Sequence, residues 1–416
     1  MDAKRIDFRK DRGFALATEQ APKIKHVAGS MWFVPSQTSP TTGYVVDTEE
    51  EGGSCSCPDF ESSRKRCKHL WAVLYVRQEA EVTDSKNVMS SQFPRLVYSQ
   101  DWPRYNRAQC EEKERVQLLL RSLCDGIQEP QQGRGRPRIA LRDAVYCATM
   151  KVYGTLSGRR TTSDLRAYKE SGHIERVPSY NSVFRCIERP ELLPLFQALV
   201  EQSALPLRSV ERKLAVDSTG FATATYVRWF DHRYGQPKKI QRWVKAHASV
   251  GTHTNIITAV EMTEGSDNDS PMLKPLLERN AKNGYTPSEY SADKAYLSHE
   301  NLALIESHGA KPFIPFKSNS SSVGSPAWER MYHHFAANNE DFQAHYHRRS
   351  NVEATFSAMK RKFGGNVCSK LPHSQYNEVL LKCLCWNLSV LVHAIHELQI
   401  DPKFWMPTTL KKEVEE

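Results

Sequence analysis

The chain has 416 residues, 39% apolar and 25% charged, enough for two or three soluble domains with sizeable cores. Lys and Arg number 57 against 48 Asp and Glu, and the formal charge of +9 favours a polyanionic partner without proving one. No apolar stretch follows Met1-Asp2-Ala3-Lys4-Arg5, which argues against a secretory signal, and ten unevenly spread cysteines fit a reducing compartment better than a disulfide framework.

In chain order, Met31 to Val34 and Gly43 to Asp47 read as hairpin strands rich in Trp, Phe, Tyr and Val. Cys55-Ser56-Cys57 follows, then nine residues, then Cys67-Lys68-His69. Three thiolates and one imidazole suit tetrahedral zinc, and four protein ligands leave no open position, so the expected site is structural. Leu70, Val73, Leu74 and Arg77 keep helical spacing, placing His69 at a helix start. This arrangement, with Cys57-Pro58-Asp59-Phe60, resembles the SWIM zinc finger. The resemblance implies a module that binds DNA or protein and does not choose between them. Cys383 and Cys385 repeat a C-x-C, but they lie in an apolar helical pattern and read as core.

Residues 91–135 read as a linker with a possible helix from Gln109 to Cys124, ending in Gly133-Arg134-Gly135-Arg136-Pro137-Arg138. That run resembles an AT-hook core, whose arginines enter a narrow minor groove; contact with phosphates or a plain basic linker are the other readings. From Ala140 to Ser209 the pattern is helical and decorated by Arg159, Arg160, Arg166, Lys169, Arg176, Arg185 and Arg189. A helical DNA-binding region, helix-turn-helix-like, or a packing domain with a solvated face both fit.

Arg212 to Val216 reads as a short strand ending at Asp217, followed by a basic, aromatic hairpin excursion at 226–239. Val244 to Val250 and Asn255 to Glu261 read as two further strands, and Asn268-Asp269-Ser270-Pro271 as a helix cap with Asp267 in the turn. Glu289 to Ala292 reads as a strand delivering Asp293, and a helix from His299 to Ser307 leads to the apolar segment Lys311 to Phe316. In the polar stretch beyond, Trp328 either stacks on an extruded base or covers core surface.

Residues 346–360, YHRRSNVEATFSAMK, carry the most information. Taken as one helix with Arg349 at zero, Lys360 falls near 20°, Glu353 near 40° and Tyr346 near 60°. Val352, Phe356, Met359 and Phe363 form an adjacent apolar stripe at about 280–340°. One helix thus presents an acid, two cations and a phenol beside its buried stripe. The spacing resembles the YREK signature of bacterial insertion-sequence DDE transposases, with Leu214 to Phe221 and Tyr290 to Tyr296 resembling the other two catalytic blocks. His345 and His347, beside Tyr346, read as DNA contacts or exposed side chains. Val379 to Ile395, interrupted by Lys382, Asn387 and His393, reads as a buried core helix rather than a membrane span.

The resemblance implies an α/β, ribonuclease-H-like core and a DNA transposase that binds terminal inverted repeats, cleaves there and joins 3′-hydroxyl ends to target DNA. Asp217, Asp293 and Glu353 would be catalytic and hold Mg²⁺, with Mn²⁺ a plausible substitute. Tyr346, Arg349 and Lys360 would contact DNA, joined by Arg134, Arg136, Arg138 and Trp328. Zn²⁺ would sit on Cys55, Cys57, Cys67 and His69. The expected organisation is 1–90 a SWIM-like ββα-type zinc module, 91–135 a linker, 136–210 a helical DNA-binding region, 211–400 the catalytic domain and 401–416 a tail. The expected partners are double-stranded DNA and a second copy when ends are paired, with no membrane, in a prokaryotic cytoplasm at the nucleoid. The rival readings are an inactive DNA-binding regulator and a nuclease that cuts without joining.

Overall fold

The computed structural model describes residues 8–20, 23–28, 30–37, 43–48, 53–63, 65–77, 101–135, 137–223, 233 and 243–405. The chain forms two compact units, residues 1–99 and 100–416. The excursion expected at 226–239 lies, except for Arg233, outside the described residues, as does Arg136.

In the first unit α1 (Phe8–Gln20) precedes four strands, β1 (Lys25–Ala28), β2 (Met31–Pro35), β3 (Gly43–Asp47) and β4 (Ser54–Cys55). They pair antiparallel in the order β1-β2-β3-β4. Two short helices follow, α2 (Pro58–Ser63) and α3 (residues 68–77). Leu16, Ile24, Val34, Val46, Phe60, Leu70 and Val73 form the core. The sheet has two more strands than the expected hairpin, because β1 and β4 are too short and polar to show alternation.

The second unit opens with helices: α4 (Trp102–Asp125), α5 (Leu141–Gly154), α6 (Gly158–Glu170), α7 (Tyr180–Ile187) and α8 (Leu193–Ala204). Much of the expected linker is therefore core. Val116, Leu119, Leu120 and Leu123 recur at helical spacing and are buried, so α4 packs instead of spanning. Then come β5 (Lys213–Ala222), β6 (Trp243–Gly251), β7 (Ile257–Glu264), α9 (Leu273–Lys282), β8 (Glu289–Ala292), α10 (His299–Ser307) and β9 (Lys311–Phe313). The chain closes with α11 (Pro326–Ala337), α12 (Asn339–Tyr346), α13 (Ser350–Phe363) and α14 (Pro372–Glu397).

The five strands lie in the order β7-β6-β5-β8-β9; β5, β6 and β7 are antiparallel, while β8 and β9 run parallel to β5. With helices on both faces, this is the ribonuclease-H-like arrangement. β5 does not stop at Asp217, as its sequence alone had indicated; it pairs with β6 as far as Ala222↔Trp243. Its period of two splits the cores: Leu214 and Val216 face one, Ala215 and Phe221 the other.

Helix α14 is the one described helix long and apolar enough to cross a membrane, and it is buried among α4, α5, α8 and β7. Asn387 explains its polar interruption. The Asn387 amide accepts from Ile257 N at 2.8 Å and donates to Ile257 O, Val200 O and Ser203 Oγ at 2.8–3.1 Å. Asn387→Ala would leave these buried groups unpaired, so a destabilisation of about 2–4 kcal/mol is expected from denaturant titration. A change below about 0.5 kcal/mol would assign the amide no such role.

Candidate active site and zinc centre

β4 carries Cys55, the entry to α2 carries Cys57, and the start of α3 carries Cys67 and His69, all buried. Among the described residues these form the one group of three or more metal-type ligands whose donor atoms lie within 4.8 Å of one another. His69 Nδ1 is 3.9 Å from both Cys55 Sγ and Cys67 Sγ. Bonds of about 2.3 Å to sulfur and 2.0 Å to nitrogen give a tetrahedral edge of roughly 3.5 Å, so zinc needs only a slight contraction. The Cys67 thiol is held low, at about 4, chiefly by a hydrogen bond from Cys55; that bond and burial drive Cys55 upward. Tyr44 packs on the His69 ring at 4.6 Å with the rings tilted by 34°. The donor set fits zinc.

The acids lie in the second unit. Val216 pairs with Ala292 in the parallel β5–β8 ladder, so Asp217 and Asp293 are the next residues at the same level on neighbouring strands. Alternation puts both on the face away from Leu214, Val216, Tyr290 and Ala292, which fill the opposite core. Helix α13 covers that face with Val352, Phe356, Met359 and Phe363, all buried as their spacing predicts. The 346–360 segment is not one helix: a 3₁₀ turn, His347–Arg349, separates α12 from α13. Residues three apart eclipse in a 3₁₀ turn, and Arg349 Nε donates to Tyr346 Oη at 3.2 Å.

Arg349 is the centre of the cluster. Its Nη1 donates to Asp217 Oδ2 and its Nη2 to Glu353 Oε1, each at 2.6 Å. Burial works against its charge, but Asp217, Tyr346 and Glu353 outweigh burial and hold the guanidinium above its ordinary range. Asp217 is pushed up by burial; Ser218 N, donating at 2.8 Å, and Arg349 oppose this, while Asp293 and Glu353 add to it. Carboxylate oxygens thus converge on one cation, the need that a divalent ion with hard oxygen ligands meets. Asp217 and Glu353 share that guanidinium.

Lys360 lies two turns beyond Glu353 on α13 and reaches β5. Its Nζ donates to Thr219 Oγ1 at 2.6 Å and Gly220 O at 2.8 Å, and sits 5.1 Å from the Phe221 ring. Burial lowers its pKa. Ser218 and Thr219 were not singled out in the sequence, although a period of two from Asp217 puts Thr219 on the same face as Lys360. A buried second layer was also missed: His247, lowered to about 4 by burial, lies 3.2 Å from Tyr296 Oη and 2.9 Å from Thr263 Oγ1.

Several expected contacts stand elsewhere. Trp328 is buried, stacked on His299 at 3.9 Å, and its indole donates to Ser321 O at 2.8 Å, so it covers core and offers no face to a base. Asp269 makes no side-chain cap but pairs with Lys245, a long-range partner that local sequence cannot show. His345 stacks on Phe313 at 4.5 Å and pairs with Glu289 at 2.8 Å. Arg134 and Arg138 are exposed in an irregular segment.

Residues 208–388 match the family model for the transposase DDE domain, and residues 44–78 match the SWIM zinc finger. No curated protein matches the chain. A solved structure, the piggyBac transposase synaptic complex with hairpin DNA, aligns over 71% of this chain and 75% of its own, at 11% identity and a TM-score of 0.30.

Proposed function

We propose that this chain is an active DNA transposase that binds the terminal inverted repeats of its element, cleaves at the ends and joins 3′-hydroxyls to target DNA. The observation that supports it best is the meeting of Asp217 and Glu353 on Arg349, with Asp293 level with Asp217 on the next strand. Asp217, Asp293 and Glu353 would hold Mg²⁺ or Mn²⁺, which when bound supplies charge stabilisation at both the attacking and leaving oxygens. Asp217 faces both other acids and is the natural shared ligand. Tyr346 and Arg349 then orient end phosphates, and Lys360 holds the backbone nearby from its anchor on β5. Arg134, Arg136 and Arg138 add phosphate contacts next to the helical unit, whose exposed Arg159, Arg160, Arg166 and Lys169 suit duplex DNA. Pairing two ends calls for a homodimer in a nucleoid setting.

An oligonucleotide carrying the element's end and a supercoiled target test this in Mg²⁺. Wild type is expected to nick and join, while Asp217→Asn and Asp293→Asn, which remove a ligand charge at constant size, each lose at least about a thousandfold. Nicking without joining would favour the nuclease reading. Binding with no cleavage by wild type in either metal would favour the regulator.

A further inference from the structure

Around α13 from Glu353, Arg361 lies at about 80° and Lys362 at about 180°, away from the acids. These two residues line two adjoining hollows. One is a depression of about 310 Å³ that also takes in Lys151, Glu378 and Lys382. The other is a cleft of about 900 Å³ walled by Tyr105, His253, Trp386 and His393, with Glu397 at its edge. Together they make one groove behind the catalytic helix.

The depression gathers Lys151, Arg361, Lys362 and Lys382 around one carboxylate, Glu378. Lys382 is only 3% exposed, yet its ammonium spends two donors on Gly364 O at 2.9 Å and Asn366 O at 2.6 Å. Its third donor is left to the Phe221 ring, 5.7 Å away, and to Glu378 at 3.9 Å, whose oxygens are taken by the Cys368 and Ser369 amides at 2.8–3.0 Å. Lys151 and the exposed Arg361 add charge at the rim, while Lys362 is paired with Glu112 at 2.5 Å. In the cleft, Trp386 is fixed by donating to Asn255 O at 2.8 Å, and Tyr105 packs on His393 at 5.3 Å. Asn255 Oδ1 is buried beneath that wall without a hydrogen-bond partner. Phosphate-sized cation pockets beside aromatic walls are how unpaired strands are held.

We propose that this groove is a second path for a DNA strand, with a backbone phosphate at Lys382, Lys151 and Arg361 and an unstacked base in the aromatic cleft. The proposal rests on the reading of the chain as a transposase.

The test uses the full chain without divalent metal and a labelled single-stranded oligonucleotide of arbitrary sequence. Lys151→Gln with Arg361→Gln is expected to weaken binding at least about tenfold and to flatten the log–log salt slope by about 0.7, the value for one phosphate. Lys151→Arg with Arg361→Lys should bind within about threefold of wild type. Iodouracil in the strand should crosslink to Tyr105 or Trp386. Unchanged affinity and slope, or crosslinks only at other sites, would overturn the path. Inorganic phosphate, followed by ³¹P line broadening, is the second probe. If the Gln pair loses phosphate binding but keeps strand binding, the depression is a free-phosphate site and the strand path is wrong. Because no cleavage is read, failure here leaves the acid assignment intact, and failure of the acids leaves this result intact.

Discussion

Removing zinc is expected to unfold the first unit, up to Ser99, while the second unit keeps its structure. Three buried sulfurs and one imidazole hold β4, α2 and α3 together, and the apolar core beneath them is small. Apparent binding energies of about 10–16 kcal/mol for such sites exceed what so small a core supplies. Cys55→Ser or His69→Ala leaves an incomplete tetrahedron and should have the same effect. Protein purified without chelator should contain one zinc per chain. Chelation should expose sites before Ser99 to protease while leaving the sheet β5–β9 protected. Absence of zinc, or a digestion pattern that chelation does not alter, would refute the structural role.

Glu353→Gln is expected to separate binding from chemistry. The amide keeps the size of the side chain and suits the first turn of α13, so Val352 and Phe356 should stay packed. Arg349 would lose one carboxylate partner at 2.6 Å and keep the other, Asp217, at 2.6 Å. One negative charge fewer beside phosphate should leave end binding intact or tighter. The lost charge is the one that grips a metal ion, so cleavage should fall at least about a thousandfold, equivalent to about 4 kcal/mol. Arg349→Ala should behave differently and weaken end binding as well, since it removes the cation that two acids and Tyr346 position.

Local signals decided what was legible in the sequence. Cys55, Cys57, Cys67 and His69 lie within fifteen residues, and one short hairpin and helix bring them together. Asp217 and Asp293 each follow an apolar strand, and parallel pairing sets them level. The apolar stripe of α13 was readable because its burial follows helix geometry. The 3₁₀ turn at His347–Arg349 was not, because nothing in its composition breaks a helix; contact with β5 and β8 accompanies it. Gln109–Cys124 read as a possible helix within a linker because one face is densely charged; the helix spans Trp102–Asp125, and its buried stripe finds its partner in α14, far along the chain. Sequence alone left Trp328 between a base and the core, and put Asp269 at its helix N-cap without showing its ion pair, because His299 and Lys245 are long-range partners.

The central claim is that Asp217, Asp293 and Glu353 form one metal-holding catalytic set. Its most direct test is Glu353→Gln on an oligonucleotide carrying the element's end, with binding followed by mobility shift and nicking measured in Mg²⁺. Wild-type binding with nicking reduced at least about a thousandfold is the predicted result. Nicking at the wild-type rate would contradict it.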